Sequence, residues 1–395
     1  MSSSARWARC TPTADVRPLP GLRYDSARFE DLTPVVAPPY DVIPAEDLSF
    51  YEGRSPHNVV RLTRPGTDYE GAARTFEEWI RDGVLQQDPP SMYLHEVEFE
   101  GRRRRDLIAA LRLQPYEDRV VLPHERTHRG PKEDRLALMR AVHASLEPLW
   151  FVYESGSTGL ATAVGLAGAA AGTPAITFTG PEGTKHRLWL TDPAFQAAAG
   201  IAFSKLPVLI ADGHHRYETA LAYADEVGGG PESASRFTLA LFTDLDDPGL
   251  EVLPTHRVLK SGIAVTGGRE TASLEETLSA LPGSVSVGVY QDHRFQVLEL
   301  EGEVPVVELH HQVIDNILGR RNPEDFLAYT RDAAEAVRWV DDGKGAAAFF
   351  LAPPDLHEVL KLAQQGSPLP QKSTYFHPKP PSGMVFHRLE RNRSL

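Results

Sequence analysis

Cysteine is nearly absent from this sequence, since Cys10 is the only one among 395 residues. A single cysteine excludes an intrachain disulfide and a zinc site built from several cysteines. The sequence also has no apolar signal core near its N-terminus and no hydrophobic run long enough to cross a membrane. We therefore expect a cytoplasmic protein without a membrane partner.

Positive charge is also in short supply. The 41 Lys and Arg residues face 54 Asp and Glu residues, which gives a net charge of −13. An acidic surface repels the phosphates of nucleic acids and anionic lipids, so the charge argues against both partners. The length favours more than one domain, and the 32 prolines and 31 glycines indicate many defined turns. The sequence leaves the oligomeric state open.

The segment KLPVLIADGHHRYETALAYA, residues 205–224, changes character at its centre. Residues 206–211 are apolar and predict a buried strand, whereas apolar residues recur at helical spacing from Tyr217 onward. The first turn of a helix offers unpaired N–H groups and the positive end of the helix dipole. This corner therefore predicts an anion site, with a capping Asp212 and two surface histidines as the alternative.

Each residue of the corner has a predicted use. Gly213 leaves its backbone open to a ligand, and Arg216 carries a fork of donors that suits phosphate or carboxylate. Asp212, His214 and His215 stand beside them and are candidates for catalysis.

Residues 124–128 spell the H-E-x-x-H string of zinc proteases. That motif requires two histidines one turn apart on a continuous helix. Here Pro123 precedes the string and Gly130 and Pro131 follow it, so we expect a loop before a helix that begins after Pro131. Glu125 stays a candidate functional carboxylate, with His124 beside it.

Three further segments carry polar residues. Tandem prolines precede Tyr40 and Asp41, where Asp41 can form a turn or bind a ligand. His256 and Arg257 follow Pro254 in a segment that we expect to be extended. They can either contact a ligand or form a pair at the surface. The basic run 102–105 predicts a solvated hairpin tip, and residues 58–62 (NVVRL) predict a strand.

The segment 369–389, LPQKSTYFHPKPPSGMVFHRL, is a cationic, hydroxyl-rich loop in an acidic protein. Its Lys-Ser-Thr resembles the end of a Walker loop, but the glycine-rich part is missing and the motif fails. Such a loop can still hold phosphate, or it can serve as a structural C-terminal strap. The residues concerned are Lys372, Ser373, Thr374, Tyr375 and Lys379.

Several stretches together resemble one family. They are VVAPPYDVI, HNVVRL, PHERT with KEDRLAL, HRLWLTD, LIADGHHRYETAL, GLEVLPTHRV and PQKSTYFHPKPPSGMVF, in order from about residue 20 to the end. On them the chain is identified as a member of the prokaryotic family numbered 1015 in the domain-of-unknown-function series. This resemblance implies no activity.

A second resemblance concerns the DGHHR segment alone. It is similar to the box at which ParB/sulfiredoxin-like folds, among them free-serine kinases, bind nucleotide phosphates. The resemblance implies a mixed α/β fold with a ParB/sulfiredoxin-like phosphate-binding core and an additional α+β module. We expect a core domain over residues 1–260, the α+β module over 261–345, and a C-terminal segment over 346–395 that returns to the core.

The leading hypothesis is a small-molecule kinase that uses ATP or ADP with Mg²⁺ and phosphorylates a hydroxyl, with free serine as the acceptor that the kinase resemblance implies. Its predicted catalytic residues are Asp212, Glu125, His214 and His215. The predicted phosphate-binding residues are Gly213, Arg216, Lys372, Ser373, Thr374 and Lys379. The predicted substrate-binding residues are Tyr40, Asp41, His124, His256, Arg257 and Tyr375. The alternatives are a metal-dependent hydrolase using His214 and His215, and a nucleotide-binding regulator without turnover.

Overall fold

The computed structural model describes residues 13–125, 130–170, 172–262, 265–319 and 321–395. The chain divides into two compact units. The first comprises residues 1–123, 127–250 and 378–395, and the second comprises residues 124–126 and 251–377. The second histidine of the H-E-x-x-H string, His128, lies outside the described residues.

The strands and helices are numbered along the chain. The strands are β1 (Val16–Arg17), β2 (Leu22–Tyr24), β3 (Leu85–Gln87), β4 (Tyr93–Phe99), β5 (Arg102–Arg112), β6 (Val121–Leu122), β7 (Ala144–Ser145), β8 (Leu149–Tyr153), β9 (Ile176–Thr179), β10 (Lys185–Leu190), β11 (Val208–Asp212), β12 (Phe237–Asp244), β13 (Glu251–Leu253), β14 (His256–Leu259), β15 (Arg269–Thr271), β16 (Ser286–Gln291), β17 (Arg294–Glu299), β18 (Leu327–Thr330), β19 (Ala347–Phe350), β20 (Tyr375–His377) and β21 (His387–Arg388). The α-helices are α1 (Leu48–Arg54), α2 (Val60–Thr63), α3 (Tyr69–Arg81), α4 (Gly130–Val142), α5 (Leu160–Ala170), α6 (Pro193–Phe203), α7 (His214–Val227), α8 (Leu274–Ser279), α9 (Pro305–Glu308), α10 (Asp315–Leu318), α11 (Pro323–Phe326), α12 (Ala333–Asp341) and α13 (Leu356–Gln365). A π-helix spans Leu309–Ile314.

The first unit is built on a mixed sheet with the order β6-β11-β8-β12-β5-β4-β10-β9, and β1 pairs with β5. Strand β11 runs parallel to β6 and antiparallel to β8, and β8 runs parallel to β12. Every residue of β8 and β12 is buried, which explains why both strands read as apolar runs without alternation. Helix α7 packs against α4, so the end of β11 and the start of α7 belong to a firmly held corner.

The second unit contains an antiparallel sheet with the order β15-β17-β16-β19-β14-β18. Val258, Tyr290, Ala348 and Phe350 lie in its core and pack with residues of α12. Since side chains alternate along a strand, Arg257 points to the sheet face opposite Val258. Strands β13 and β20 form a separate antiparallel pair in this unit.

The structure confirms the mixed α/β class and corrects some local predictions. Residues 58–62 were expected to form a strand, but Val60–Thr63 is a short helix. Three hydrogen bonds of the Asn58 side chain explain the difference. Its Oδ1 accepts from Val60 N–H, and its Nδ2 donates to the carbonyls of Pro34 and Val36. The turn that Asn58 forms just before the helix in this way outweighs the strand preference of valine.

The basic run also differs from its prediction. The residues 102–105 begin β5 and do not form the hairpin tip, which lies at Glu100 and Gly101. Arg104 is 1% exposed and donates to Asp106 at 2.9 Å, because both side chains project from the same face of the strand. Over the described part of the chain, no helix has both the length and the hydropathy that crossing a membrane requires.

Candidate functional site

The candidate site of the first unit lies where β11 ends and α7 begins. A bulge between Ile210 and Asp212 re-aims the last residue of β11, and α7 starts at His214 as predicted. Gly213 has φ 101°, a conformation that residues with a side chain rarely adopt. A Cβ at this position would also lie 2.8 Å from Leu149 Cδ2, so both backbone and packing require glycine here.

Asp212 is bound by two cations. Lys379 Nζ lies 2.5 Å from its Oδ1, and Arg216 Nη2 lies 2.6 Å from its Oδ2. Burial alone would raise the pKa of Asp212, but the charges of Lys379 and Arg216 outweigh burial and hold that pKa well below its usual range. Asp212 is therefore ionised throughout the neutral range and is a weak proton acceptor.

Arg216 joins this corner to a second carboxylate. Its Nη1 donates to Pro148 O at 3.0 Å and lies 3.9 Å from Glu147 Oε2. Burial lowers the pKa of Arg216, whereas Glu147 and Asp212 raise it by more, so the net shift is upward. Glu147 Oε1 also accepts from Ser382 Oγ at 2.5 Å.

Tyr40 and Asp41 lie at the same corner. The N–H of Tyr40 donates to Glu147 Oε1 at 2.9 Å, and Asp41 Oδ2 lies 3.4 Å from Lys379 Nζ. Burial raises the pKa of the Tyr40 phenol. The structure thus brings together five residues that the sequence singled out: Tyr40, Asp41, Asp212, Arg216 and Lys379.

The charges of this group decide which ligand suits it. The group contains three carboxylates and two cations that pair with them. The carboxylates are those of Asp41, Glu147 and Asp212, and the cations are Arg216 and Lys379. The helix start itself has no side-chain cap, because the residue before it is glycine. The corner therefore presents basic side chains and carboxylates side by side, and Arg64 and Arg135 also contact Tyr40.

The second unit holds several other predicted residues in segment 371–375, a loop that leads into β20. The N–H groups of Ser373 and Thr374 both donate to Glu125 Oε1, at 2.9 and 3.4 Å. His124 Nε2 lies 2.6 Å from Thr374 Oγ1. Successive N–H groups that converge on one oxygen form an anion cradle, and here Glu125 fills it. Lys372 is exposed and has φ 56°.

Residues 124–125 were predicted to lie in a loop; they are outside any helix, and Glu125 forms a β-bridge with Leu369. They therefore do not supply the helical spacing of a zinc motif. Among the residues that the structure describes, no group of three or more His, Cys, Asp or Glu side chains is arranged to hold a metal. His214 and His215 are half-buried on the first turn of α7.

His256 and Arg257 are buried in β14 and are 3% and 0% exposed, so the alternative of a surface pair is wrong. His256 Nδ1 accepts from Leu351 N–H at 3.3 Å. Tyr375 lies beneath the guanidinium of Arg331, with 4.0 Å from Cζ to the ring centroid.

Sequence reasoning missed two residues of these clusters. Glu147 contacts Arg216, Tyr40 and Ser382. The sequence around it, SLEPLW, carries no motif that indicates a site. His310 is 8% exposed and lies in the π-helix, a conformation that the sequence did not indicate. A π-helix is frequent at functional sites and was the available structural signal.

The match to a family model covers residues 16–343, and that family is described as proteins of unknown function, DUF1015. The chain belongs to the DUF1015 family. Its predicted membership is confirmed over most of its length. A comparison with curated proteins gave no match.

Solved structures similar to this DUF1015 member include a free serine kinase in complex with AMP, at 14% identity and a TM-score of 0.37, covering 69% of this chain and 89% of the other. A free serine kinase variant in complex with ADP matches at 13% identity and a TM-score of 0.38, with coverages of 69% and 89%. SbnI from Staphylococcus aureus, with a C-terminal truncation, matches at 10% identity and a TM-score of 0.36, with coverages of 68% and 82%.

Proposed function

We propose that this protein is a nucleotide-dependent phosphotransferase that phosphorylates a hydroxyl of a small molecule. The observation that carries the proposal is the convergence of Lys379 and Arg216 on Asp212 at a helix start without a side-chain cap. Basic side chains, a helix N-terminus and carboxylates for a metal ion are the parts that phosphoryl transfer requires.

Charge neutralisation is the work of the basic residues. Phosphoryl transfer proceeds mainly through positioning and electrostatic stabilisation, because charge spreads over the phosphoryl oxygens in the transition state. Arg216 and Lys379 are 13% exposed, so each retains access while its charge is only weakly screened by water. In this proposal they bind the nucleotide phosphates, together with the N–H groups at the start of α7.

The carboxylates serve a different purpose. Mg²⁺ supplies neutralisation of the phosphate oxygens when bound, and Asp212 and Asp41 are the residues that would hold it. The low pKa of Asp212 suits a metal ligand and not a base. Asp41 is more exposed than Asp212 and stays a candidate base at this corner. The catalytic role of Glu125 stays a prediction.

The acceptor is proposed from the resemblance of the DGHHR segment to free-serine kinases. It is a free hydroxy amino acid such as serine. The choice between ATP and ADP as donor is left to the experiment, in which both are offered.

The test begins with nucleotide binding. Isothermal titration of the purified full chain with ATP and with ADP, each with Mg²⁺, is expected to give saturable binding. Arg216→Gln and Lys379→Met are each expected to weaken binding at least tenfold, because each removes one charge-assisted phosphate contact of about 1.5–3 kcal/mol. Arg140→Gln is the matched control, since Arg140 is an exposed arginine that pairs with Glu226.

Turnover is then measured by mass spectrometry with a panel of hydroxy amino acids. A phosphorylated product supports the proposal, whereas binding without product favours the nucleotide-binding regulator. Absence of binding at millimolar nucleotide would overturn both. A hydrolase would instead show stoichiometric transition metal in the purified protein and its loss on His214→Ala.

A further inference from the structure

Arg257 carries a charge in the interior of the second unit. Its side chain is 0% exposed and donates only to neutral groups: the carbonyl of Thr255, Gln371 O at 3.3 Å and Ser373 Oγ at 3.4 Å. Its Nε has no hydrogen-bond partner among the residues that the structure describes. No carboxylate of the described residues lies within ion-pair distance of this guanidinium, although Glu125 is near enough to influence it.

This situation is costly for a folded protein. Burial lowers the pKa of Arg257 to about 10, so the group stays protonated at neutral pH. A buried charge that is neither paired nor neutralised is destabilising by several kcal/mol in typical proteins, and for that reason buried charges are paired or bind ligands. The second unit therefore lacks one negative charge beside Arg257.

His310 is the second unsatisfied group of this region. It is 8% exposed, and within the described part of the chain its Nε2 has no hydrogen-bond partner. Burial, followed by the charge of Arg257, lowers the pKa of His310 to about 3, so the ring is neutral and has one N–H to donate. His310 lies in the π-helix, where the regular hydrogen-bond pattern of an α-helix is interrupted. Its ring is close enough to Arg257 to be influenced by the charge of the guanidinium.

Glu125 does not supply the missing charge. Its Oε1 is committed to the N–H groups of Ser373 and Thr374. Tyr329 contributes only a ring face, with its centroid 5.8 Å from Arg257 Cζ. Among the described residues, the guanidinium is thus surrounded by neutral acceptors and one ring face, with no anion at ion-pair distance.

We propose that the second unit binds the oxyanion group of a small molecule, a carboxylate or a phosphate, at Arg257, with His310 as an additional donor. Nε is without a partner among the described residues, and Nη2 makes only long bonds of 3.3 and 3.4 Å to neutral groups. These two nitrogens are therefore the pair that would bind the two oxygens of such a group, in the bidentate geometry that arginine favours. All residues of this site belong to the second unit, so the inference goes beyond the proposed function and does not depend on it.

The test uses the full chain and four probes. Thermal unfolding and isothermal titration are carried out with inorganic phosphate, with L-serine and O-phospho-L-serine as carriers of carboxylate and phosphate, and with ethanolamine, which has neither group. At least one anionic probe is expected to raise the melting temperature and to bind with saturation, whereas ethanolamine is not. The ranking of L-serine against phosphate distinguishes a carboxylate site from a phosphate site.

Variants then locate the site. Arg257→Met and His310→Phe are expected to reduce the affinity for the active probe at least tenfold and at least threefold, respectively. Arg338→Gln, which alters an exposed arginine beside Asp332, is expected to leave it unchanged. An anion that stabilises Arg257→Met as much as the wild type overturns the inference, as does the absence of any anion-dependent effect in the wild type.

A second measurement guards against a variant that fails to fold. In the wild-type protein, the bound probe is expected to slow hydrogen exchange of the amides over residues 371–376 and 309–314. Unchanged exchange in both segments at saturating probe overturns the inference without any variant. Nucleotide binding is measured separately, so failure here and failure of the proposed function give different results.

Discussion

Lys379 Nζ and Asp212 Oδ1 lie 2.5 Å apart, although the two residues come from widely separated parts of the first unit's chain. Arg216 binds the other oxygen of the same carboxylate. One carboxylate therefore holds two cations, and both of those cations are also near a further carboxylate, Asp41 or Glu147. The stability of the corner depends on the charge of Asp212.

Asp212→Asn is expected to lower the free energy of unfolding by about 3 kcal/mol, because it leaves two partly buried cations without their shared anion. Asp225→Asn is the control, since Asp225 is exposed and pairs with Arg236 at the surface, and its loss is expected to cost less than about 1 kcal/mol. Urea denaturation measures both. Equal losses would show that Asp212 is not the charge that binds this corner together.

Gly213→Ala is expected to destabilise the protein by about 2 kcal/mol, because the new methyl group meets Leu149 and the backbone at φ 101° is strained for alanine. Gly230→Ala is the matched control: it lies in the loop after α7, and no atom lies within 4 Å of the position its Cβ would take. Thermal unfolding of the two variants is compared. A Gly213→Ala variant as stable as Gly230→Ala would contradict the observed turn.

The strand, turn and helix over 208–227 could be predicted from the sequence because their signals are local. An apolar run, a glycine and a helical repeat follow one another, and each predicts the conformation of the residues in which it occurs. The sequence predicted a cationic loop that contains Lys379, but it could not predict that this lysine contacts Asp212. No local pattern specifies which residue a lysine far away in the chain will contact. Glu147 was missed for the same reason.

The remaining errors have similar causes. Residues 58–62 have a strand-like composition. They form a helical turn instead because the Asn58 side chain donates hydrogen bonds to carbonyls that are distant in the sequence. Arg104 was expected in solvent, but its neighbour Asp106 on the same strand face permitted burial. In both places a tertiary partner reversed a preference that was correctly identified from the residues alone.

Stability is expected to fall as the pH falls from about 6.5 toward 4. Burial lowers the pKa of His256 to about 4, that of His310 to about 3 and that of His387 to about 4. A histidine whose pKa is lower in the folded state than its unfolded value takes up a proton more readily when unfolded. Its contribution is therefore fully present above pH 6.5 and is lost as the pH drops through this window.

His387→Gln tests this dependence at one position. Since a tenfold change in protonation equilibrium is worth about 1.4 kcal/mol, His387 is expected to account for on the order of 3 kcal/mol between pH 7 and pH 4. The variant is expected to lose that part of the pH dependence, as measured by urea denaturation across the range. His293→Gln, at an exposed position, controls for the substitution itself. An unaltered slope in His387→Gln would contradict the buried neutral state.

Glu125→Ala is expected to loosen the loop of residues 371–375. It removes the oxygen that accepts from Ser373 N–H and Thr374 N–H, and a buried donor left without a partner costs about 1–3 kcal/mol. Hydrogen exchange of these two amides is expected to accelerate by tenfold or more, which follows from a loss of 1.4 kcal/mol or more. Glu358→Ala, at an exposed position of helix α13, should leave both amides unchanged. Should the two amides stay protected in Glu125→Ala, some group other than this carboxylate must hold the loop.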